Sequence, residues 1–306
     1  MDVTGWPVKT CEMQNHHVDS TVWNEFTFRD DDIIIATYAK SGTTWMQQIL
    51  TQLLFPGEQI DLSAVSPWLD LRVPAKVAKL AAIEAQTRRR FIKTHLPMRA
   101  LRYSPRAKYI YVARDGRDVV WSLHNHHAAG NEAWYAMLND TPGRVGPPIE
   151  PPPASVRDYF LTWLERDGHP LWPYWDHVRG WWQFQHLPNL LLVHYADLKA
   201  NLDGEMRRVA TFLDIPIDER LWPTIMERCS FDYMKAHSSS IMPILEDFLR
   251  DGAKSFIYRG TNGRWRDVLT KDDIALYERE ARAQLGDACA AWLAAGGHEV
   301  DRQATG

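Results

Sequence analysis

The sequence predicts an α/β protein of three layers, α/β/α, with a mostly parallel central sheet between helices. Three observations predict it. Short runs rich in β-branched and aromatic residues recur at Ile33-Ile34-Ile35, Phe91-Ile92, Lys108–Ala113 and Leu190–Tyr195, continuous enough for strands buried on both faces. Segments of helical spacing stand between them, the alternation that builds βαβ units. The first run passes through Tyr38-Ala39-Lys40-Ser41-Gly42 into a helix, which makes a P-loop-like strand–loop–helix unit.

Taken in order, residues 1–30 read as an irregular lead-in, with Trp6, Trp23 and Phe26 packing onto the domain. Asp31–Leu50 follows, where Trp45, Ile49 and Leu53 share a helix face. Unpaired N–H groups of the first helical turn and the positive end of its dipole point into the preceding loop, an anion-binding arrangement. Lys40 adds a mobile charge, and Ser41, Thr43 and Thr44 add hydroxyl donors. The loop is not a Walker A motif, because its lysine precedes its glycine. A plain strand-to-helix turn capped by Ser and Thr is the alternative.

Pro56-Gly57 breaks that helix. Residues 61–74 read as a loop carrying Trp68, and residues 74–86 as a helix with Pro74 at its start. The strand at Phe91-Ile92-Lys93 ends in Thr94-His95-Leu96-Pro97. The next, Lys108–Ala113, runs into Arg114 and a helix over 115–125. Asn139–Pro153 is a Pro/Gly-rich stretch, either a surface excursion or a lid over a pocket. Helices are expected over 156–167 and 175–184. After the strand at Leu190–Tyr195 come a helix over 204–213 and a short helical segment from Ser230. Residues 250–266 read as a long loop, followed by an amphipathic helix at Lys271–Leu285 and a tail. With no internal repeat and no linker, residues 1–306 read as a single domain.

Composition narrows the function. Across 306 residues the formal net charge is −4, which argues against a nucleic-acid partner and makes any basic site local. The 3 cysteines, Cys11, Cys229 and Cys289, are scattered and fit neither a disulfide framework nor a zinc site. The N-terminus lacks the pattern of a signal peptide, and no apolar run approaches ~18 residues. A soluble cytoplasmic protein without a membrane partner is expected.

Ligands of a parallel sheet sit at the carboxyl ends of its strands, and Lys40, His95 and Arg114 each lie just past one. A neutral His95 can take a proton from a hydroxyl. Cations beside it would hold its pKa down. Lys93, on the same strand face, can stabilise charge developing on a transferred group. Arg114 with Ser122 suits a phosphate, unless the arginine pairs with Asp115 or Asp118. Arg259-Gly260 is a second anion contact, its glycine allowing close backbone approach. His124, His126 and His127 either contribute to the acceptor side of the site or merely cap an exposed helix end, the second reading being favoured.

These segments together resemble the cytosolic sulfotransferase family. Tyr38–Trp45 looks like its 5′-phosphosulfate loop, with Ala39 where proline is usual. Lys93–Pro97 is similar to its catalytic-histidine segment, and Arg114 and Ser122 fall at its 3′-phosphate contacts. Tyr195–Lys199 and Ser230–Met234 resemble the segments whose aromatic residues hold adenine. The resemblance implies 3′-phosphoadenosine 5′-phosphosulfate (PAPS) as co-substrate, 3′,5′-ADP as product and no metal requirement. It implies transfer to a hydroxyl or amine of a small acceptor, with His95 as base and Lys40 on the 5′-phosphate and bridging oxygen. Trp45, Tyr195 and Phe231 would surround the adenine.

Two departures stand out. Tyr258 replaces an arginine of the family's late loop, here Tyr258-Arg259-Gly260-Thr261-Asn262-Gly263. The C-terminal dimerisation motif matches only at Arg266 and Thr270, not at Lys271 and Ala275, so the oligomeric state stays open, with a homodimer as the candidate. A nucleotide kinase or NTPase, or an inactive 3′,5′-ADP-binding module, are the competing functions. The aromatic supply at Trp68, Trp121, Trp134 and Tyr135 suits a partly apolar or aromatic acceptor.

Overall fold

The four apolar runs form strands β1 (Ile33–Thr37), β2 (Phe91–Thr94), β3 (Lys108–Ala113) and β4 (Leu190–His194) in a computed structural model that describes residues 5–297. They pair in parallel in the order β2-β1-β3-β4, with Ile34 opposite both Ile92 and Tyr109, and Tyr111 opposite Leu192.

Alternation along each strand splits the core in two. Ile34, Ala36, Tyr109 and Tyr111 face one side, and Ile33, Ile35, Ile110 and Val112 the other. Both sides are covered by helices, as an all-parallel sheet requires. Helices α1 (Thr43–Leu54), α2 (Lys76–Glu84), α3 (Gly116–Ala129), α4 (Val156–Glu165), α5 (Tyr174–Trp182), α6 (Leu202–Phe212) and α7 (Lys271–Leu285) are the longer ones that matter here. α1 and α6 cover the second face through Met46, Ile49, Met206 and Val209. α3, α4, α5 and α7 supply Val120, Trp163, Trp181 and Tyr277 to the first.

The expected architecture is present. The differences are local. The stretch expected as a loop over 61–74 holds a short helix, Leu62–Val65. Residues 250–266 contain helix Gly252–Phe256 and a 3₁₀ turn at Arg264–Asp267, and the expected tail begins with helix Asp287–Ala295. Helices Glu132–Asn139 and Trp222–Arg228 had no sequence counterpart. Most of these are too short to display a period of 3.6. Residues 1–4 of the lead-in and 298–306 of the tail lie outside the described residues.

No described helix is long and apolar enough to cross a membrane. The chain adds β2 on one side of β1 and then β3 and β4 on the other, so a crevice opens between β1 and β3 at the carboxyl ends of these two strands, where open α/β sheets bind ligands.

Candidate active site

At the end of β1 the chain turns through Lys40, which has φ of 67°, and Gly42, which has φ of 119°. Glycine is needed at the second position on two counts. A side chain there would be strained, and its Cβ would lie 2.9 Å from Cδ2 of Tyr195. Gly42 is also the N-cap of α1, whose first turn holds no side-chain cap and no acidic residue. The dipole end and its N–H groups are therefore left to an anion. Ser41 Oγ is buried there without a hydrogen-bond partner.

The crevice is a cavity of about 250 Å³ that brings the expected site residues together: Lys40, Gly42, Thr43, Thr44, Trp45, Lys93, His95, Arg114, Ser122, Tyr195, Phe231, Arg259 and Gly260 all line it. Ser41 lies beneath the loop rather than in the wall, at 1% exposure.

Three cations point into this space, each resting on an aromatic face. Lys40 Nζ lies 3.5 Å from the Phe256 ring centre, Lys93 Nζ 5.0 Å from Trp68, and the Arg114 guanidinium 4.1 Å from Tyr195. Arg114 does not take up the carboxylates next to it in sequence. Arg117 binds Asp115 at 2.7–3.1 Å, and Asp118 accepts the Gly263 N–H at 2.7 Å. Arg114 instead donates to Asn262 Oδ1 (2.8 Å) and the Thr261 carbonyl (3.1 Å). Burial, then the charges of Lys93 and Arg114, push the Lys40 ammonium pKa well below its usual range. Burial lowers that of Lys93 to about 8, against the opposing pull of Asp70. Such crowding of like charge is relieved by an anion.

His95 is almost fully buried. Its Nδ1 donates to the Thr37 carbonyl at 2.8 Å and lies 3.0 Å from Thr37 Oγ1. A carbonyl only accepts, so Nδ1 carries the proton and Nε2 keeps a lone pair. The ring stands edge-on to Trp68 at 4.6 Å. Asp70 fixes both, accepting from Trp68 Nε1 (2.7 Å) and the His95 N–H (3.1 Å), and from Trp23 Nε1 (3.2 Å). Its pKa lies well below the ordinary histidine value. Burial is the first cause, and Lys93 comes second. The sequence pointed to neighbouring cations alone, because desolvation has no sequence signal.

Trp45 donates to the Cys229 carbonyl at 2.8 Å and meets Tyr195 edge-on at 5.4 Å. Phe231 faces Gly260, where a Cβ would come within 2.6 Å of its ring. Tyr258 is 40% exposed, and the guanidinium carbons of Arg259 and Arg264 each lie 5.1 Å from its ring centre. Arg264 also lines the cavity, which sequence reasoning missed. The only signal was its place one residue after Gly263.

One expectation is corrected. α3 runs on to Ala129 rather than ending near Asn125, and it packs against Glu132–Asn139 through Trp134. That carries His126 and His127 into the cavity wall instead of an exposed end. Only His124 behaves as expected, bonding the Pro153 carbonyl at 2.8 Å. His17 and Trp172 also line the cavity from segments with no motif. No residue of 139–153 does.

The profile of the family described as "Sulfotransferase domain" matches residues 30–288. The glycolipid sulfotransferase of Mycobacterium bovis is 33% identical over 282 residues, covering 85% of this chain and 86% of the relative. Mouse sulfotransferase 1B1 is 31% identical over 257 residues, covering 80% of each. Mouse sulfotransferase SULT7A1, solved in complex with PAP, shares the fold with a TM-score of 0.69 at 19% identity, covering 94% of this chain and 92% of that one.

Proposed function

Because the chain belongs to the sulfotransferase domain family, we propose that it moves a sulfuryl group from PAPS to a hydroxyl or amine of a small, partly apolar or aromatic acceptor. Transfer is in line, with His95 as the general base, and residues 1–306 act as a single cytoplasmic domain.

One observation carries this reading. Lys40, Lys93 and Arg114 converge at the open N-terminus of α1, in the same cavity as the free Nε2 of His95. Bound there, PAPS supplies an activated sulfuryl group on a stable phosphate leaving group. This chain's residues do the rest. The loop from Lys40 to Trp45 holds the 5′-phosphate. Trp45, Tyr195 and Phe231 take the adenine. Arg114, Ser122, Arg259 and Gly260 hold the 3′-phosphate, and Arg264 supplies the cation that Tyr258 does not.

His95 Nε2 accepts the acceptor's hydroxyl proton as the oxygen–sulfur bond forms. Lys93 meets charge on the group in flight. Lys40 leaves Phe256 to offset charge on the departing 5′-phosphate oxygen.

A thermal-shift assay tests the reading against a kinase or NTPase. Stabilisation by 3′,5′-ADP in the presence of EDTA, without a comparable shift from Mg-ATP, is expected. The reverse result overturns the proposal. Stabilisation without sulfuryl transfer to any phenol or alcohol would leave the inactive nucleotide-binding module.

A further inference from the structure

Residues 67–71 form a strap beside the end of β2. The Leu69 N–H donates to the Lys93 carbonyl and the Lys93 N–H to the Pro67 carbonyl, each at 3.1 Å. The Asp19 N–H donates to the Asp70 carbonyl at 2.8 Å. The Lys79 ammonium donates to the carbonyls of Leu69, at 2.6 Å, and Leu71. Inside this strap Asp70 is a carboxylate with no exposed surface. The donors on its oxygens are all neutral: Trp23 Nε1 on Oδ1, and Trp68 Nε1 with the His95 N–H on Oδ2. Holding these three groups needs acceptors but no charge, and a buried charge is costly.

The reason for a charge lies across Trp68. Its Nε1 edge is on Asp70, while its ring lies 5.0 Å from Lys93 Nζ. The two lysines of the cavity differ in this respect. Lys40 faces the cations Lys93 and Arg114, and its pKa falls well below the usual range. Lys93 has Asp70 to oppose its burial and falls only to about 8. The other titratable groups around Lys93 are Lys40 from the β1 loop, His95 from its own strand end and His126 from α3. None of them is negative. Lys79 also feels the Asp70 charge, but its ammonium is spent on the strap and does not line the cavity.

We propose that Asp70 is a positioning residue for sulfuryl transfer. It sets the His95 ring through the backbone N–H and the edge of Trp68, and it is the fixed counter-charge of Lys93. This rests on the sulfotransferase reading of the cleft. Asp70 lines no part of the cavity, so it acts only through the base and through the cation that meets the group in flight.

Two substitutions separate its charge from its position. Asp70→Asn keeps the size and removes the charge. It should lower kcat about tenfold or more, the scale of a small misplacement of reacting groups. It should also move the alkaline fall of kcat/KM for PAPS down by about one pH unit, because an ammonium without its counter-charge loses its proton earlier. Stabilisation by 3′,5′-ADP should stay near that of the wild type. Asp70→Glu keeps the charge and displaces it, so kcat should drop while the fall stays in place. In a Lys93→Arg background, whose guanidinium does not titrate, Asp70→Asn should leave the fall where that background has it.

A role confined to the fold, or to Lys79, would lower kcat without moving the fall. The proposal is overturned by a fall that stays put in Asp70→Asn, or one that moves equally in the Lys93→Arg background. It is also overturned by a kcat within about twofold of the wild type, or by loss of 3′,5′-ADP stabilisation in a folded variant. Should Asp70→Asn not fold, Asp70→Glu decides alone: a shifted fall or an unchanged kcat there overturns the proposal. Failure of the underlying reading looks different, because the wild type itself would then transfer nothing from PAPS to any phenol or alcohol.

Discussion

The cleft has two halves that reach their order by different routes. Around Lys40–Trp45 the geometry is made by backbone. A left-handed Lys40, a glycine N-cap and an uncapped helix start place donors within one contiguous segment, and Arg114 joins from the adjacent strand end. Beyond His95 the wall is made by side chains from distant parts of the chain, including His17, Trp68, His126 and Trp172. They are held by ring packing and by Asp70, a buried carboxylate that fastens Trp68 and the His95 backbone. A backbone site recognises a fixed chemical group, here one with charge. A side-chain site can be rebuilt position by position, which is where related enzymes of one fold can change acceptor.

His95 stands at the seam and gives the largest expected effect. His95→Ala should lower kcat by roughly 10²–10⁴-fold, the usual worth of a positioned general base. Its stabilisation by 3′,5′-ADP should stay close to that of the wild type, since the ring is hydrogen-bonded to Thr37 at the end of β1 and only through it to Thr43 of α1. Measuring both on one preparation separates the halves. Loss of binding together with turnover would show that they are not independent.

That difference also explains what could be read from the sequence. The loop half was legible because its chemistry is contiguous: Lys40, Gly42 and Trp45 sit within six residues, and a strand run before them fixes their direction. His95 and Arg114 were legible because strand ends in a parallel sheet converge. His126 and His127 were misread because the end of α3 depends on Glu132–Asn139 packing over it, and helix ends follow tertiary contacts as much as local propensity. His17 and Trp172 carried no signal at all. Nothing local marks a residue that becomes a wall only when segments 154 residues apart, such as His16 and Pro170, are bonded.

Within the loop half, Arg264 tests whether the region's chemistry survives replacement of one of its parts. Arg264→Ala should weaken 3′,5′-ADP by about tenfold, the scale of one charge-assisted hydrogen bond. 5′-AMP, which lacks the 3′-phosphate, should be unaffected, and titration calorimetry with both nucleotides decides. An equal loss for both would place Arg264 on the base or the fold. No loss for either would return the 3′-phosphate to Arg114 and Arg259 alone.

A smaller effect should come from pH, and it separates the two sides of His95. Lys93 loses its proton around pH 8 in the free protein, so the charged form needed to meet the sulfuryl group declines above that. kcat/KM for PAPS should be flat below about pH 7, halve near pH 8 and be down on the order of fourfold half a unit above that. His95 is already neutral well below pH 6.5, so it adds no acid limb near neutrality. A limb centred near the ordinary histidine value would mean that the base is less desolvated than its burial implies. Lys93→Arg keeps its charge at every pH and should move the alkaline fall upward.

The smallest effect is expected where the sequence allowed a lid. Residues 139–153 are clasped from within by Asn139, which exchanges two hydrogen bonds of 2.9 Å with Ile149. From outside, Arg72 bonds the carbonyls of Thr141 and Pro142 at 3.0 and 2.9 Å. The tip at Arg144 and Val145 is exposed and does not line the cavity, whereas Ile149 is buried against Trp134, the ring that holds His126 edge-on. Deleting Arg144 and Val145 should therefore change acceptor KM by less than about twofold, as surface changes usually do. Ile149→Ala should loosen Trp134 and raise KM more than the deletion, although neither residue touches the cavity. If the deletion has the larger effect, the segment closes over the acceptor and the side-chain half of the cleft has a moving wall. If Ile149→Ala does, the segment acts only as a buttress, through one tryptophan, on His126.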